Sequence, residues 1–508
     1  MASDRHESYS GLRAYFGDIH NHCAVSYGHG PLATAFRNAQ LQLDFASVTV
    51  HGAWPDLPAG EPELDYLVAY HEEGFAHAEQ QWAEYLRQTE LANQDGRFVT
   101  FPSFEWHSCA YGDHCIYFKG PGDHRILAAP DLQSLRETLR HADVPVIVIP
   151  HHIGYKQGSR GINWDAFSPE MSPVVETYSF HGLSESSEGP YPYLHSMGPR
   201  HELSTAQYGW ARGNVFGVVG STDHHNAFPG SYGYGRMAVW APALTRESIW
   251  DAIQKRRTYA LTGDRIVLRY ALNDHLMGDL TPAAAERWID IDVAAGDSID
   301  AIEILHNNRV VHRESIFPVL RESGRFKVYV EMGWGERNDA TLWNVELEVV
   351  QGKLKDVEPR LRGFGPTAEP DDDADFDTTV LSQPTPQTLN LRTQTLPNLS
   401  LHTPATEGFA LELEGDAETI LAVCFNGQRQ TIRLSELWSG SRTFYIGGFV
   451  SPAICFHRAI PHDEYAHRFT FLHHGSGQER DWYYVRVRQR NNQWAWSSPI
   501  WVGENAKA

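Results

Sequence analysis

Thiol pairs are scarce in this chain. Its five cysteines among 508 residues are odd in number and never spaced as CxxC, which excludes a disulfide framework and a thiolate zinc site. Cys23 and Cys115 have no activating neighbour in the sequence and are expected to be small buried packing residues. No apolar run approaches the ~20 residues of a membrane span, and the opening MASDRHESYS holds no apolar stretch of leader length. A soluble, cytoplasmic protein with no membrane partner is therefore expected. Positive charge is short as well. With 42 Lys and Arg against 64 Asp and Glu, the net charge is −22, and nucleic acid is excluded as a main partner because binding it requires an extended basic face. There is no G-x-S-x-G elbow for a serine hydrolase. The glycine-rich GSYGYG at 230–235 leads into an extended apolar segment, not the helix N-terminus a phosphate loop requires. No repeat of fixed period is present.

Histidine, by contrast, is abundant: 18 of 27 lie at or before position 225, in under half of the chain. The stretch YFGDIHNHCAVSYGH at 15–29 stands out. If it opens as a strand, Asp18, His20 and His22 share one face, about 7 Å apart per two residues. Pro31–Leu43 reads as a helix with proline at its start, and LDFASVTVH as a strand ending at His51. A long helical composition from Pro62 to about Asn93 has Gly74 as its expected break. RFVTFPSFEWH gives a strand ending near Glu105, HCIYF begins at His114, and Asp131–Ala142 reads as a helix. VPVIVIPHH is a continuous apolar run ending at His151 and His152, of the kind that suits a parallel strand buried on both faces. SPVVETYS reaches Glu176, NVFGVVGSTDHHN reaches Asp223 to Asn226, and a last helix follows Thr245 as its N-cap.

The alternation of strand and helix points to an α/β barrel or a doubly wound sheet over residues 1–265. His20, His51, Glu105, His151, Glu176 and Asp223 each close an apolar strand, and in α/β barrels that rim is where sites are built. From Ile266 the pattern changes to period two, with a hairpin expected at Asn307 and Asn308. Residues 266–508 thus read as an antiparallel β domain, interrupted by a Pro-, Thr- and Asp-rich excursion at about 363–408. Because RRTYALTGDRI enters this domain without a linker, it is expected to be structural and not an appended binder. Its Trp482, Trp494, Trp496 and Trp501 could instead form a binding face.

One His-x-His is a weak sign of metal. His20-x-His22, Asp223-x-His225, His51, Glu105, His114 and His151 together are a strong one, and their nitrogen and carboxylate donors suit two or three divalent ions of Zn, Mn or Fe. His152 and His224 neighbour these candidates and face the other way on a regular strand. Lys156, Arg160 and Arg257 could meet an anionic group, although structural ion pairs are the commoner role.

The segments YFGDIHNH, PSFEWHS, IPHHIGY, VVETYSFHGLSE, GSTDHHNAFPG and RRTYALTGDRI, with the closing WAWSSPIWV, resemble the DUF3604 family of the PHP (polymerase and histidinol phosphatase) superfamily. The resemblance implies a distorted (β/α)7 barrel carrying an appended C-terminal antiparallel β-sandwich-like domain, with two or three metal ions at the barrel rim. Carried over by motif, His20, His22, His51, Glu105, His114, His151, Asp223 and His225 are the implied ligands, and His29 an additional one. Asp18 and Glu176 are further candidates for ligation or for orienting a ligand. Two departures stand out: Val50 replaces the carboxylate of the usual Thr-Asp-His, and Tyr27 replaces a frequent Asp in the turn after the first motif. The implied activity is a metal-dependent phosphoesterase acting on a small molecule through a metal-bridging hydroxide, with His152 or His224 protonating the leaving group. The alternatives are hydrolysis of a non-phosphate ester or amide in a pocket lined by Trp54, Trp106 and Tyr178, or a binding protein with a vestigial metal site.

Overall fold

The computed structural model describes residues 7–335, 339–397 and 405–503. Residues 1–6, part of the stretch read for a leader, and residues 398–404 of the excursion lie outside the described residues. The architecture is mixed α/β and rich in strands. In chain order the first half contains β1 (Arg13–Asp18), α1 (Leu32–Gln42), β2 (Phe45–Ala46), β3 (Val50–Ala53), α2 (Asp65–Ala92), β4 (Val99–Thr100), β5 (Ser103–Trp106) and β6 (His114–Phe118). It continues with α3 (Leu132–Leu139), β7 (Val146–Pro150), β8 (Val174–Ser179), β9 (Gly182–Leu183), α4 (Ala206–Ala211), β10 (Gly217–Gly220), β11 (Arg236–Ala241), α5 (Arg246–Gln254) and β12 (Thr258–Leu261).

These strands pair in three sheets. β1, β2 and β4 are parallel neighbours, and β11 and β12 extend that sheet antiparallel from the other side of β1. β3 and β5 are parallel, whereas β6 runs antiparallel to both β5 and β7. β8 and β10 are parallel, with β9 folded back on β8. Among the described residues these hydrogen-bonded ladders form three separate sheets, and no single closed ladder joins them.

Several local expectations are corrected. The apolar run ending at His151 pairs antiparallel with β6, because burial on both faces dictates composition and not direction. LDFASVTVH and RFVTFPSFEWH each split into two short strands in different sheets; Pro102, with no amide hydrogen to donate, falls at the second break. α2 runs unbroken through Gly74. That glycine serves close approach: a Cβ there would lie 2.5 Å from the Tyr27 ring. Elsewhere the local chemistry behaves as expected. Pro31 precedes α1, which buries Ala35, Phe36 and Ala39, and the side chains of Asp131 and Thr245 accept from the backbone N–H of Ser134 and Ser248 to cap α3 and α5.

The later half has two parts. Strands 267–272, 286–294 and 466–474 form one antiparallel sheet, while the hairpin 299–306/309–315 joins 480–489, whose partner 494–497 pairs with β12. The sheet begun by β1 is therefore completed by the C-terminal strands, and Tyr9, Phe16 and Trp240 share one core with Ile289, Ile304 and Val485. Asn307 and Asn308 both adopt positive φ (48° and 67°), as a two-residue reversal requires. Residues 323–461 form a sandwich of two antiparallel sheets around Phe326, Trp343, Val345, Leu411 and Phe425.

The excursion is more ordered than composition suggests. Residues 388–395 are a strand with Leu389 and Leu391 buried. Residues 363–377 form a strap back over the first half, where Phe376 packs on the core of α1 and Asp377 pairs with Arg37.

Candidate metal centre

β1 ends at Asp18, so His20 and His22 lie beyond the strand, in an extended stretch held against residues 223–224. The backbone N–H of Asp223 donates to His20 O at 2.7 Å, and that of His22 donates to His224 O at 2.6 Å. This backbone pairing brings two motifs about 200 residues apart into one cluster. Asp18 sets its base: its carboxylate accepts from Thr222 Oγ1 (2.5 Å) and from the backbone N–H of His20, Thr222 and Gly230. Every lone-pair direction of Asp18 is thereby engaged in holding loops, which removes it from direct ligation.

The hydrogen bonds fix which ring nitrogen each histidine presents. His22 Nδ1 donates to Thr49 O at 2.7 Å and His225 Nδ1 to Asp223 O at 2.9 Å, while Glu176 Oε2 takes the Nδ1 proton of His20 at 2.9 Å. The Nε2 atoms are left as lone-pair donors. His20 Nε2 and His22 Nε2 lie 3.2 Å apart, and Asp223 Oδ1 is 3.3 Å from the first and 3.0 Å from the second. Three electron-rich atoms face one another, fully buried, and only a proton or a cation can reconcile them.

Glu105 is the other focus. Its Oε1 is 2.7 Å from His151 Nε2 and 3.2 Å from His107 Nδ1; its Oε2 is 3.5 Å from His51 Nε2 and 3.7 Å from His22 Nε2. Neither ring nitrogen of His151 makes a hydrogen bond despite that short approach. Close contact without hydrogen-bond alignment is how two donors to one shared ion are placed. His20, His22 and Asp223, then His22, His51 and His225, then Glu105, Asp113, His151 and His152 each converge to within 4.8 Å. The residues present thus fit divalent cations of the nitrogen- and oxygen-loving kind.

Burial drives the electrostatics. It pushes the Glu105 carboxyl well above its ordinary value and Glu176 up to about 7, His20 being the main opposing influence on each. Burial, reinforced by neighbouring imidazoles, holds His51, His151 and His225 well below the ordinary imidazole range. For Asp223 burial acts upward, but His20, His181 and His22 outweigh it and the carboxyl is held well below its usual value. Asp223 and His152 also adopt positive φ (54° and 29°), a backbone cost of about 1–3 kcal/mol each that the surrounding contacts must offset.

Three expected residues fall elsewhere. His114 sits on β6 with its ring toward Trp106 and Nδ1 on Gly112 O; Cys115, next in the strand, takes the face toward His20, so alternation turns His114 away from the ligand cluster. His224 has both nitrogens committed, to Phe364 O at 2.8 Å and to the Asn226 N–H at 3.1 Å, and so cannot exchange a proton with a substrate. His29 lies on the pocket wall at intermediate exposure. Glu176 acts on the ring of His20. His152 keeps Nδ1 unpartnered while Nε2 faces Asp113 at 3.2 Å.

Sequence reasoning overlooked His107, Asp113 and His181. His107 is two residues beyond Glu105, at the spacing that shares a strand face, and Asp113 directly precedes HCIYF. His181 Nε2 meets Asp223 Oδ2 at 2.9 Å while Nδ1 meets Tyr155 Oη at 2.6 Å; its only sequence sign was a position just past the end of β8. Arg160 binds Asp113, reaches His107 Nδ1 at 3.0 Å and lies over Trp54.

The cluster opens into a cavity of about 820 Å³ walled by Tyr27, Tyr70, Phe180, His195 and, from the strap, Thr367 to Pro370. Tyr27, where a carboxylate is frequent, stacks on His51 at 3.5 Å. Trp106 and Tyr178 are turned away, their polar atoms bound to Ala129 O and Gly233 O.

Among known proteins, a model of the family described as a protein of unknown function (DUF3604) matches residues 231–296, a segment that covers β11, α5 and β12 but none of the converging ligands. An uncharacterised protein of Chlamydia trachomatis is 29% identical over 244 residues, covering 43% of this chain and 38% of that protein. Another, from Chlamydia pneumoniae, is 25% identical over 250 residues, 44% of this chain and 39% of that one. The chain thus spans well under half the length of the curated relatives it matches. A Bacteroides vulgatus crystal structure, of a two-domain protein containing a predicted PHP-like metal-dependent phosphoesterase, aligns over 91% of this chain and 96% of that one at 10% identity and a TM-score of 0.30. No described helix is long and apolar enough to cross a membrane.

Proposed function

We propose that the protein is a metal-dependent hydrolase, acting first of all on phosphoesters of small molecules. The observation that carries this reading is the meeting of His20 Nε2, His22 Nε2 and Asp223 Oδ1 with no proton assigned between them, beside Glu105 and an unbonded His151. His20, His22, His51, Glu105, His151, Asp223 and His225 would hold two or three divalent ions of Zn, Mn or Fe. Such ions supply Lewis acidity and lower the pKa of water at the site. The chain's own groups do the rest. Glu176, Thr49 and Ser26 orient the rings of His20, His22 and His51. His152, which lines the cavity with Nε2 facing Asp113 at 3.2 Å, would in its protonated form give a proton to the departing oxygen. Tyr27, Tyr70 and Phe180 narrow the access of water.

A second reading, hydrolysis of an uncharged ester or amide, is favoured by one feature. Among the described residues, Arg160 is the only arginine or lysine on the cavity wall, and Asp113 already engages it, while Glu73 and Glu369 add negative charge. Metal content per chain, measured by plasma mass spectrometry on untagged protein purified without added metal, is the decisive test. About two to three equivalents, reduced in Asp223→Ala, are expected. Under about a tenth of an equivalent, unrecovered after dialysis against Zn, Mn and Fe, overturns both readings. Phosphate release from a phosphomonoester panel, against turnover of carboxylic esters in the same metal, then separates them.

A further inference from the structure

On the outer face of the six-stranded sheet of the sandwich lies a constellation unrelated to the metal cluster. Strand 453–456 has Glu331 and Thr443 directly opposite Cys455 on its two neighbours, and His457 follows two residues later on the same side. Glu331 Oε2 holds His457 Nε2 at 3.0 Å, and its Oε1 accepts from Thr406 Oγ1 at 2.6 Å. Thr443 Oγ1 donates to the Cys455 sulfur at 3.4 Å, and Tyr329 stacks under the His457 imidazole at 5.0 Å. Among the other four cysteines, Cys115 also faces a histidine–carboxylate pair, His20 with Glu176, but it is buried within the metal cluster. Cys23 and Cys115 are buried, with burial pushing each thiol up to about 12, and Cys109 is pushed up to about 11.

We propose that Cys455, His457 and Glu331 form a reactive thiol site that takes low-molecular-weight disulfides and is converted to a mixed disulfide. Glu331 fixes the imidazole, His457 takes the proton of the Cys455 thiol, and the sulfur attacks one sulfur of the reagent. The new S–S bond forms as the reagent's own S–S bond breaks. The departing half leaves as a thiolate and recovers the proton from His457, so that Cys455 is oxidised and one half of the reagent is reduced to a thiol. The electrostatics agree with the geometry. Burial opposes ionisation of Cys455, but the hydrogen bonds and charge of His457 outweigh it and the thiol is held below its ordinary value, while His457 is raised to about 9. Cys455 itself is only 8% exposed, but the side chain of His457 is 40% exposed, which gives a small reagent an approach that a protein thiol lacks.

The test uses the full chain with oxidised glutathione at pH 7, sampled over time and read by peptide mass spectrometry. Cys455 is expected to acquire the adduct about tenfold faster than Cys109 or Cys424, although both of those are more exposed. His457→Gln is expected to slow Cys455 about tenfold with the near-ultraviolet dichroism unchanged. Should that variant lose its fold, Glu331→Gln is read in its place, as the ratio of Cys455 to Cys424 labelling. Equal or faster labelling of Cys424 in the unaltered chain overturns the proposal, as does a folded His457→Gln that labels at the original rate.

Discussion

Two of the buried polar clusters among the described residues, equally hidden from water, differ in their bonding. Around Asp264, protein donors meet the carboxylate: Tyr232 Oη (2.7 Å), Gln489 Nε2 (2.5 Å) and Asn491 Nδ2 (2.8 Å) all donate to it, and Arg360 Nη2 lies 3.1 Å away with its guanidinium over the rings of Tyr329 and Tyr232. Around Glu105 and Asp223, acceptors face acceptors, and His151 and Glu176 keep unbonded atoms. The first cluster satisfies its carboxylate with protein groups alone, leaves Arg360 Nε and Nη1 beside aromatic rings without hydrogen-bond partners, and ties the sandwich to the rest of the fold. The second is incomplete, and what it lacks is positive charge. Burial by itself therefore distinguishes nothing; the balance of protons against lone pairs does.

Substitution should separate the two. Asp223→Ala or Glu105→Ala is expected to abolish metal retention, lowering affinity by more than about 100-fold while the chain still folds, as checked by metal analysis beside circular dichroism. Arg360→Ala should do the reverse. Leaving Asp264 buried and unpaired costs about 3–5 kcal/mol in urea unfolding, with metal content per folded chain unchanged. Metal added at a hundredfold excess over its dissociation constant should stabilise the unaltered protein by about 2.7 kcal/mol, reversed by chelator and absent in Asp223→Ala. Glu176→Gln, which keeps the shape but weakens the hold on His20, is expected to cost about 10- to 100-fold in affinity.

The smallest effect concerns pH. Protons compete with metal for imidazole, so acidification must release it. Because burial and neighbouring imidazoles hold His51, His151 and His225 well below the ordinary imidazole value of about 6.5, competition begins later and release is expected well under that pH. Half-release at or above about pH 6.5, in stepped dialysis, would count against ligation by these rings.

Much of the cluster was legible in the chain because strand ends carry their own marks. Apolar runs closing on His51, Glu105, His151 and Asp223 mark side chains delivered at strand ends, and each of the four falls in one of several overlapping donor groups. Illegible were the residues whose role depends on facing. His114 and Cys115 are adjacent, and only the pairing of β6 with β5 and β7 decides which of them looks inward. His224 was attractive by proximity alone, yet the strap supplies Phe364 O and engages it. The strap's composition, rich in Pro, Thr and Asp, indicated a loop and carried no sign that it would wall a cavity made by the other half of the chain.

The sequence by itself determined the donor chemistry: nitrogen and carboxylate in place of thiolate, an acidic surface, and a change from α/β to antiparallel β near residue 266. These follow from composition and period, which are local. Tertiary structure alone decided the antiparallel course of β6 and β7, the commitment of Asp18 to backbone amides, and the entry of His107, Asp113 and His181. It also joined the C-terminal strands to the sheet of β1. The reason is physical: a side chain's period fixes the face it takes relative to its own strand, whereas its partners depend on which strand lies alongside, and that is settled only when non-local segments pack.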